Sequence, residues 1–192
     1  MGADIHCYVI CKERVCSQST LESGATCWTA VGYEWKLVNV WGRNKDYRPD
    51  SDELWYNSEY FPVSCFSDRN YQLFGVLAGV RSYEYPQIDA VRGIPSGCPQ
   101  ELRDYIEKTW GNSCHNVTWY SLGELNKAVR NKKKWPKYDT WYDENGAAHK
   151  DKETYGPHYG LKRLRDSVQH FADIEGWFDD PEDIRVVIFF DS

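Results

Sequence analysis

Asp4 and His6, two residues apart in "MGADIHCYVI", have the types and spacing of a small acid–base unit. In a strand, side chains two apart project the same way, so Asp4, His6 and Tyr8 share one face while Ile5, Cys7 and Val9 share the other. An imidazole titrates near working pH, and a carboxylate beside it can orient it or raise its basicity. His115 supplies a second imidazole. One such ring acting as base and another as acid can cleave a phosphodiester without a metal or other cofactor, which makes His6 and His115 the candidate catalytic pair, with Asp4 in support. The plainer alternative for each histidine is a structural hydrogen bond.

Arginine suits planar, bidentate recognition of phosphate, and Arg69, Arg81 and Arg92 fall at or near expected helix ends and turns, where backbone N–H groups also favour anions. Together with Asn70 and Ser121 they form a candidate binding set for a phosphate-bearing small ligand. The competing reading is that Arg69 and Arg81 pair with acidic neighbours and cap helices. A rival use of the same groups is a divalent metal held by Asp4, His6, His115 and Asp191. Asp191 reaches Asp4 only if the last strand lies antiparallel beside the first. Cys7 and Cys114 adjoin the two histidines, but neighbours along a strand point to opposite faces, so neither is placed to act as nucleophile.

The elements that must position these residues are readable in outline. After the first strand, "CKERVCSQSTLESGAT" is polar and rich in turn formers, and "CWTAVGYEWKLVNVW" alternates as one or two further strands. A long polar and aromatic loop follows. "SDRNYQLFGVLAGVRS" reads as a buried helix with Ser67 or Asp68 as N-cap. "PQELRDYIEKTWG" is an amphipathic helix with Pro99 at its first position and Gly111 past its end. Ser121 and Glu124 form a capping box, with Tyr120 stapling onto Leu125, so a third helix starts at Leu122. Residues 135–158 read as an excursion from the core, turning at "ENG". Leu161, Leu164, Val168 and Phe171 then make one helical stripe, and "IRVVIFFDS" is a strand buried on both faces. Strands, helices and a final buried strand imply a single α+β domain in which a sheet containing both terminal strands packs against about four helices.

Bulk properties narrow the partners. The 192 residues fit one sizeable domain, and the net charge of -6 argues against broad binding to duplex nucleic acid. The longest apolar run, "VVIFF", is far short of the ~20 residues that span a membrane. Nine tryptophans and fourteen tyrosines supply many flat rings. The seven cysteines have no C-x2-C pair; they read as reduced thiols of a cytoplasmic protein, and Cys7, Cys11 and Cys16 make a poor zinc set. Lys132–Lys134 with Trp135, Tyr138, Trp141 and Tyr142 has the look of a nucleic-acid-binding arm, yet the following acidic residues cancel much of that charge and favour a solvated surface. Signatures of P-loop ATPases, serine hydrolases and Rossmann oxidoreductases are absent.

"GADIH", "DRNYQLFGVLAGVR" at 68–81, "RGIP" at 92–95, the His115–Leu125 pattern H-x-x-x-W-x-S-L-x-E-L and the terminal "RVVIFFD" together resemble a family of uncharacterised proteins of bacteriophages and prophages. Segments of about 12–60 and 131–158 match least. The resemblance implies a phage-encoded protein working in the host cytoplasm and brings no activity with it. The residues therefore carry the expectation: a small nucleotide-type phosphate ligand is bound and cleaved by His6 and His115, and the phage setting makes a nucleotide immune signal the natural target. Alternatives are a non-catalytic sponge for the same ligand and a protein-binding inhibitor of a host factor.

Overall fold

The computed structural model describes residues 3–20, 26–38, 41–43, 45–51, 59–81, 85–131, 134–135, 140–150, 156–176 and 180–191. Its centre is the strand with the most apolar sequence. Ile184–Asp191, here β8, has Val186–Phe190 all buried, because it is covered on both faces and flanked on both edges. In sheet order the strands run β2 (Thr26–Leu37), β1 (Asp4–Thr20), β8, β5 (His115–Ser121), every neighbouring pair antiparallel. Two short ribbons, β3 with β4 (Trp41–Arg43, Tyr60–Pro62) and β6 with β7 (Thr140–Tyr142, Ala148–Lys150), lie outside that sheet.

The period-2 pattern of β1 sorts the core into two layers. Ile5, Cys7, Val9 and Cys11 join Val186, Ile188 and Phe190 under three helices, α1 (Tyr71–Ala78), α3 (Leu122–Arg130) and α4 (Pro157–Glu175). Tyr8 and Ile10 join Val187 and Phe189 on the opposite face, beneath α2 (Gln100–Tyr105) and the π-helical turn Ile106–Trp110 that extends it. The structure is thus the α+β arrangement that the sequence implies, with terminal strands paired in one sheet and, among the described residues, four α-helices around it. Fully burying a large aliphatic or aromatic side chain contributes about 1.5–3 kcal/mol, so β8 alone accounts for a large part of the driving force.

Local signals explain most boundaries. Ser121 Oγ accepts from Glu124 N (3.0 Å) and Glu124 Oε2 accepts from Ser121 N (2.9 Å), the reciprocal box expected at the start of α3. Tyr120 and Leu125 are both fully buried in the core beneath it. Gly146 N donates to Asp143 O (2.9 Å) in the turn between β6 and β7, where "ENG" places it. Leu161, Leu164 and Val168 are fully buried along α4, with Phe171 packed at their margin.

Three boundaries differ from expectation. Asn70, not Ser67 or Asp68, caps α1, its Oδ1 accepting from Leu73 N (3.0 Å). Asp68 is spent on Arg69 N and on Arg163 instead, which keeps that stretch extended. The polar segment after residue 11 is also not a turn. β1 continues through it to Thr20, paired with β2 and broken by a bulge at Val15/Cys16. Among the described residues no helix covers the outer part of this two-stranded arm, and its sequence carries no apolar face from which a strand would be recognised. Trp135 is likewise no part of an excursion: it is buried, its Nε1 donating to Pro86 O (2.9 Å). Lys132, Lys133 and Tyr138 lie outside the described residues.

Candidate functional site

The antiparallel pairing of β1 with β8 sets Asp4 opposite Asp191 and His6 opposite Phe189. Asp191 Oδ1 accepts from Asp4 N (3.1 Å), and Asp191 Oδ2 lies 3.5 Å from His6 Nε2, outside hydrogen-bond geometry. The carboxylate beside the imidazole is therefore Asp191. Asp4 is held elsewhere: Arg69 Nε and Nη2 donate to its two oxygens at 2.7 and 3.2 Å, and those bonds keep the Asp4 carboxyl below its usual pKa. These groups open onto a cavity of about 310 Å3 lined by Asp4, His6, Ser64, Ser67, Asp68 and Arg69.

His6 itself is enclosed by rings. Its centroid lies 4.1 Å from that of Trp110 and 4.8 Å from that of Phe189, and its Nε2 is buried without a hydrogen-bond partner. Burial, only partly opposed by the charges of Asp191 and Asp4, holds its pKa below the ordinary histidine value. The π-helical turn matters here, because it carries Trp110 over the imidazole.

His115 is not brought to this group. It pairs with Phe190, whose ring belongs to the helix-covered layer, and its own ring lies 6.3 Å from that ring, whereas His6 faces the other layer with Phe189. β8 separates their strands, so two strand spacings, about 10 Å, and the thickness of the sheet stand between the imidazoles. One scissile bond cannot sit within hydrogen-bond reach of both. The same separation dissolves the metal set of Asp4, His6, His115 and Asp191, and Arg69 already occupies Asp4; among the described residues no group of three ligating side chains is disposed to hold an ion.

The candidate binding set divides in the same way. Arg69 and Asn70 stand at the start of α1, while Arg81 is exposed beyond its Gly79 cap in a left-handed conformation (φ 62°), with about 12 Å of helix between them. Ser121 is buried in the capping box. Arg92 bridges to Glu124 at 2.7 and 2.9 Å and to Asp89 at 2.7 and 3.2 Å. Bonding to Glu124 raises the pKa of Arg92. Glu124 in turn stays below its usual value, although burial pushes the other way.

The sequence reading missed the group on which this network borders. Arg185, paired with Ile10 on one side and Ser121 on the other, points to the same layer as His6. Its guanidinium carbon lies 4.0 Å from the ring centroid of Trp35 on β2 and 4.3 Å from that of Trp119 on β5. Arg92 stacks on Trp119 in turn (4.7 Å), so indoles and guanidinium groups alternate across the sheet. Arg185 differs from Arg92 in having no ion-pair partner among the described residues, and its Nε is buried without a hydrogen bond. Burial lowers its pKa, yet an arginine so placed keeps its charge. The loop of Pro95 and Cys98 passes close to Trp35 at Gly97 (φ 76°), where a Cβ would come within 2.9 Å of the indole. A lone basic residue in "IRVVIFF" was the available signal.

No protein-family model matches the chain, and neither a curated relative nor a solved structure is significantly similar to it. Among the described residues no helix is long and apolar enough to cross a membrane.

Proposed function

We propose that the chain binds a small nucleotide-type phosphate ligand and retains it without cleavage. The observation behind this reading is the Arg185 guanidinium, set between Trp35 and Trp119 with no direct ion pair among the described residues, the carboxylates of Glu124, Asp183 and Glu182 acting on it only from a distance. A desolvated, planar cation of this kind is matched by a phosphate, and the partly exposed indoles flanking it offer faces for a base. Arg92 and Ser121, from the expected binding set, sit one strand away, but their bonds are already made within the fold. Retention is favoured over turnover because the two imidazoles do not share a face. In the phage setting that the resemblance implies, such a protein would lower the free concentration of a nucleotide immune signal.

Equilibrium dialysis against a panel of mononucleotides and cyclic dinucleotides, followed by denaturation and chromatography of what is released, tests the reading. At least one nucleotide should be retained and recovered intact. Arg185→Ala should weaken retention at least about tenfold, and Arg185→Lys should not restore it, since lysine keeps the charge but loses the planar fork. Failure of the whole panel to bind would sink the proposal.

A second reading has its own observation: His6, with Asp191 beside it, lines the cavity at the end of β1. A single imidazole acting there as base would reveal itself as nucleotide products that disappear with His6→Ala and persist with Arg185→Ala.

A further inference from the structure

We infer that the ligand is a single-stranded oligonucleotide of several residues, an inference that rests on the Arg185 reading above and extends it along the β1–β2 arm. The register carries the argument. Lys12 pairs with Trp35 and Arg14 with Tyr33, on the face that Ile10, Leu37 and Arg185 share. Side chains directly opposite in an antiparallel pair lie on one face, so Trp119, Arg185, Trp35, Lys12, Tyr33 and Arg14 form one continuous stripe of alternating rings and cations. Lys12 Nζ rests over the Tyr33 ring (4.8 Å), and Tyr33 is 60% exposed.

The reverse of the arm has a different character. Glu13, Glu34 and Lys36 are neighbours there, and Lys36 pairs with both glutamates. One face of the arm is therefore basic and aromatic, while the other carries a net negative charge. This local polarity reconciles a stripe built for phosphates with a chain whose net charge is -6. Lys12 also bonds Asp183 (3.0 Å), in a half-buried pair for which a phosphate on this face would have to compete.

Length decides the class of ligand. From Trp119, level with Tyr8, to Tyr33, level with Arg14, the stripe climbs six residues of strand, about 20 Å, and crosses three strand spacings, about 14 Å. The diagonal of about 24 Å exceeds a mononucleotide and suits about four to six stacked residues of one strand. Rings receive bases only when those bases are unpaired, which selects single strands over duplex.

The test uses the full chain and three probes: thymidine monophosphate, hexathymidylate and hexauridylate, with a hairpin DNA carrying a G·C-rich duplex stem of about twelve base pairs as competitor. Either hexamer should bind at least about tenfold more tightly than the monophosphate, with affinity falling as salt rises. Tyr33→Ala with Arg14→Ala, both exposed and remote from the core, should weaken the better hexamer about tenfold and leave the monophosphate unchanged, with circular dichroism confirming the fold. A hexamer no tighter than the monophosphate, or one indifferent to the arm substitutions, overturns the inference while leaving the Arg185 reading standing. Loss of monophosphate and hexamer binding alike strikes the earlier reading instead. Preference for the duplex overturns the single-strand assignment, and the difference between the two hexamers tells DNA from RNA.

Discussion

At the end of β1, Arg69 is met by Asp4, Arg163 by Asp68 and the imidazole of His6 by Asp191, so each cationic or titratable nitrogen faces a carboxylate close at hand. Across the sheet, Arg92 is met twice over, by Glu124 and Asp89, while Arg185 makes no direct ion pair among the described residues and stacks on two indoles, with Glu124, Asp183 and Glu182 acting on it only at longer range. The two regions hold similar residue types. They differ in whether the cation is directly ion-paired, and a partly buried cation without such a pair is the one that gains most from an added anion.

That contrast is broken most forcefully at Glu124. Glu124→Ala removes a partner of Arg92 and half the capping box of α3 at once. Breaking a fully buried pair costs about 3–5 kcal/mol, and the residual exposure of this one discounts the loss to about 2–3 kcal/mol. Arg185→Ala, which breaks no ion pair, should cost less than about 1 kcal/mol. Urea denaturation of both variants beside the parent decides the matter. Equal losses would mean that Arg185 is as structural as Arg92 and would remove the reason for assigning it a ligand.

A smaller effect is expected at Gly97. Its left-handed backbone disfavours any side chain, and a Cβ there would press on the Trp35 indole. Gly97→Ala should therefore lower stability by about 1–2 kcal/mol and also weaken nucleotide retention, because the ring that covers Arg185 has to shift. A stability loss with retention unchanged would show that Trp35 is not part of the binding surface.

What was legible in the sequence follows the same division. β8, α1, α3 and α4 announced themselves because their apolar residues repeat with the period of a covered face, and the capping box at Ser121 and Glu124 is a purely local signal. The outer half of β1 was hidden, since its residues are polar on both faces and show no apolar alternation. The separation of His6 from His115 was hidden for another reason: it depends on a register bridged by β8 and on the irregularity between His115 and Thr118, neither of which is local. Asp4 and His6 do share a face, as their spacing implies. Which carboxylate stands beside the imidazole, however, was fixed by Arg69 taking Asp4. Arg185 escaped notice because its significance lies in lacking a direct ion pair among the described residues, which is visible only once the neighbours are in place.

The imidazole offers a test of the corner by pH. Burial keeps the folded-state pKa of His6 below its unfolded value of about 6.5, so as pH falls the unfolded chain takes up the proton first. Stability should fall as pH drops below about 6.5, until folded His6 is itself protonated. His6→Phe, which keeps a ring between Trp110 and Phe189, should be less sensitive across that interval. Urea midpoints of the two proteins at pH 7.5, 6.5 and 5.5 make the comparison. Carboxylates such as Asp4 and Glu124, whose folded pKa values are lowered, lose their contributions further down and do so in both proteins. Parallel curves would show that His6 is hydrated rather than held between rings.

The smallest effect belongs to the most conspicuous ion pair. Arg69 places two donors on Asp4 in a bidentate arrangement, yet the side chains are 70% and 50% exposed, so water already solvates both charges and salt screens what attraction is left. Arg69→Ala should leave the urea midpoint unchanged within error, and the nucleotide retention that depends on Arg185 unchanged as well. A clear loss of retention would move the ligand from the indole ladder to the cavity at the end of β1. Arg69 would then be a cation lent to Asp4 until a phosphate arrives, and the contrast between the two regions would be one of degree.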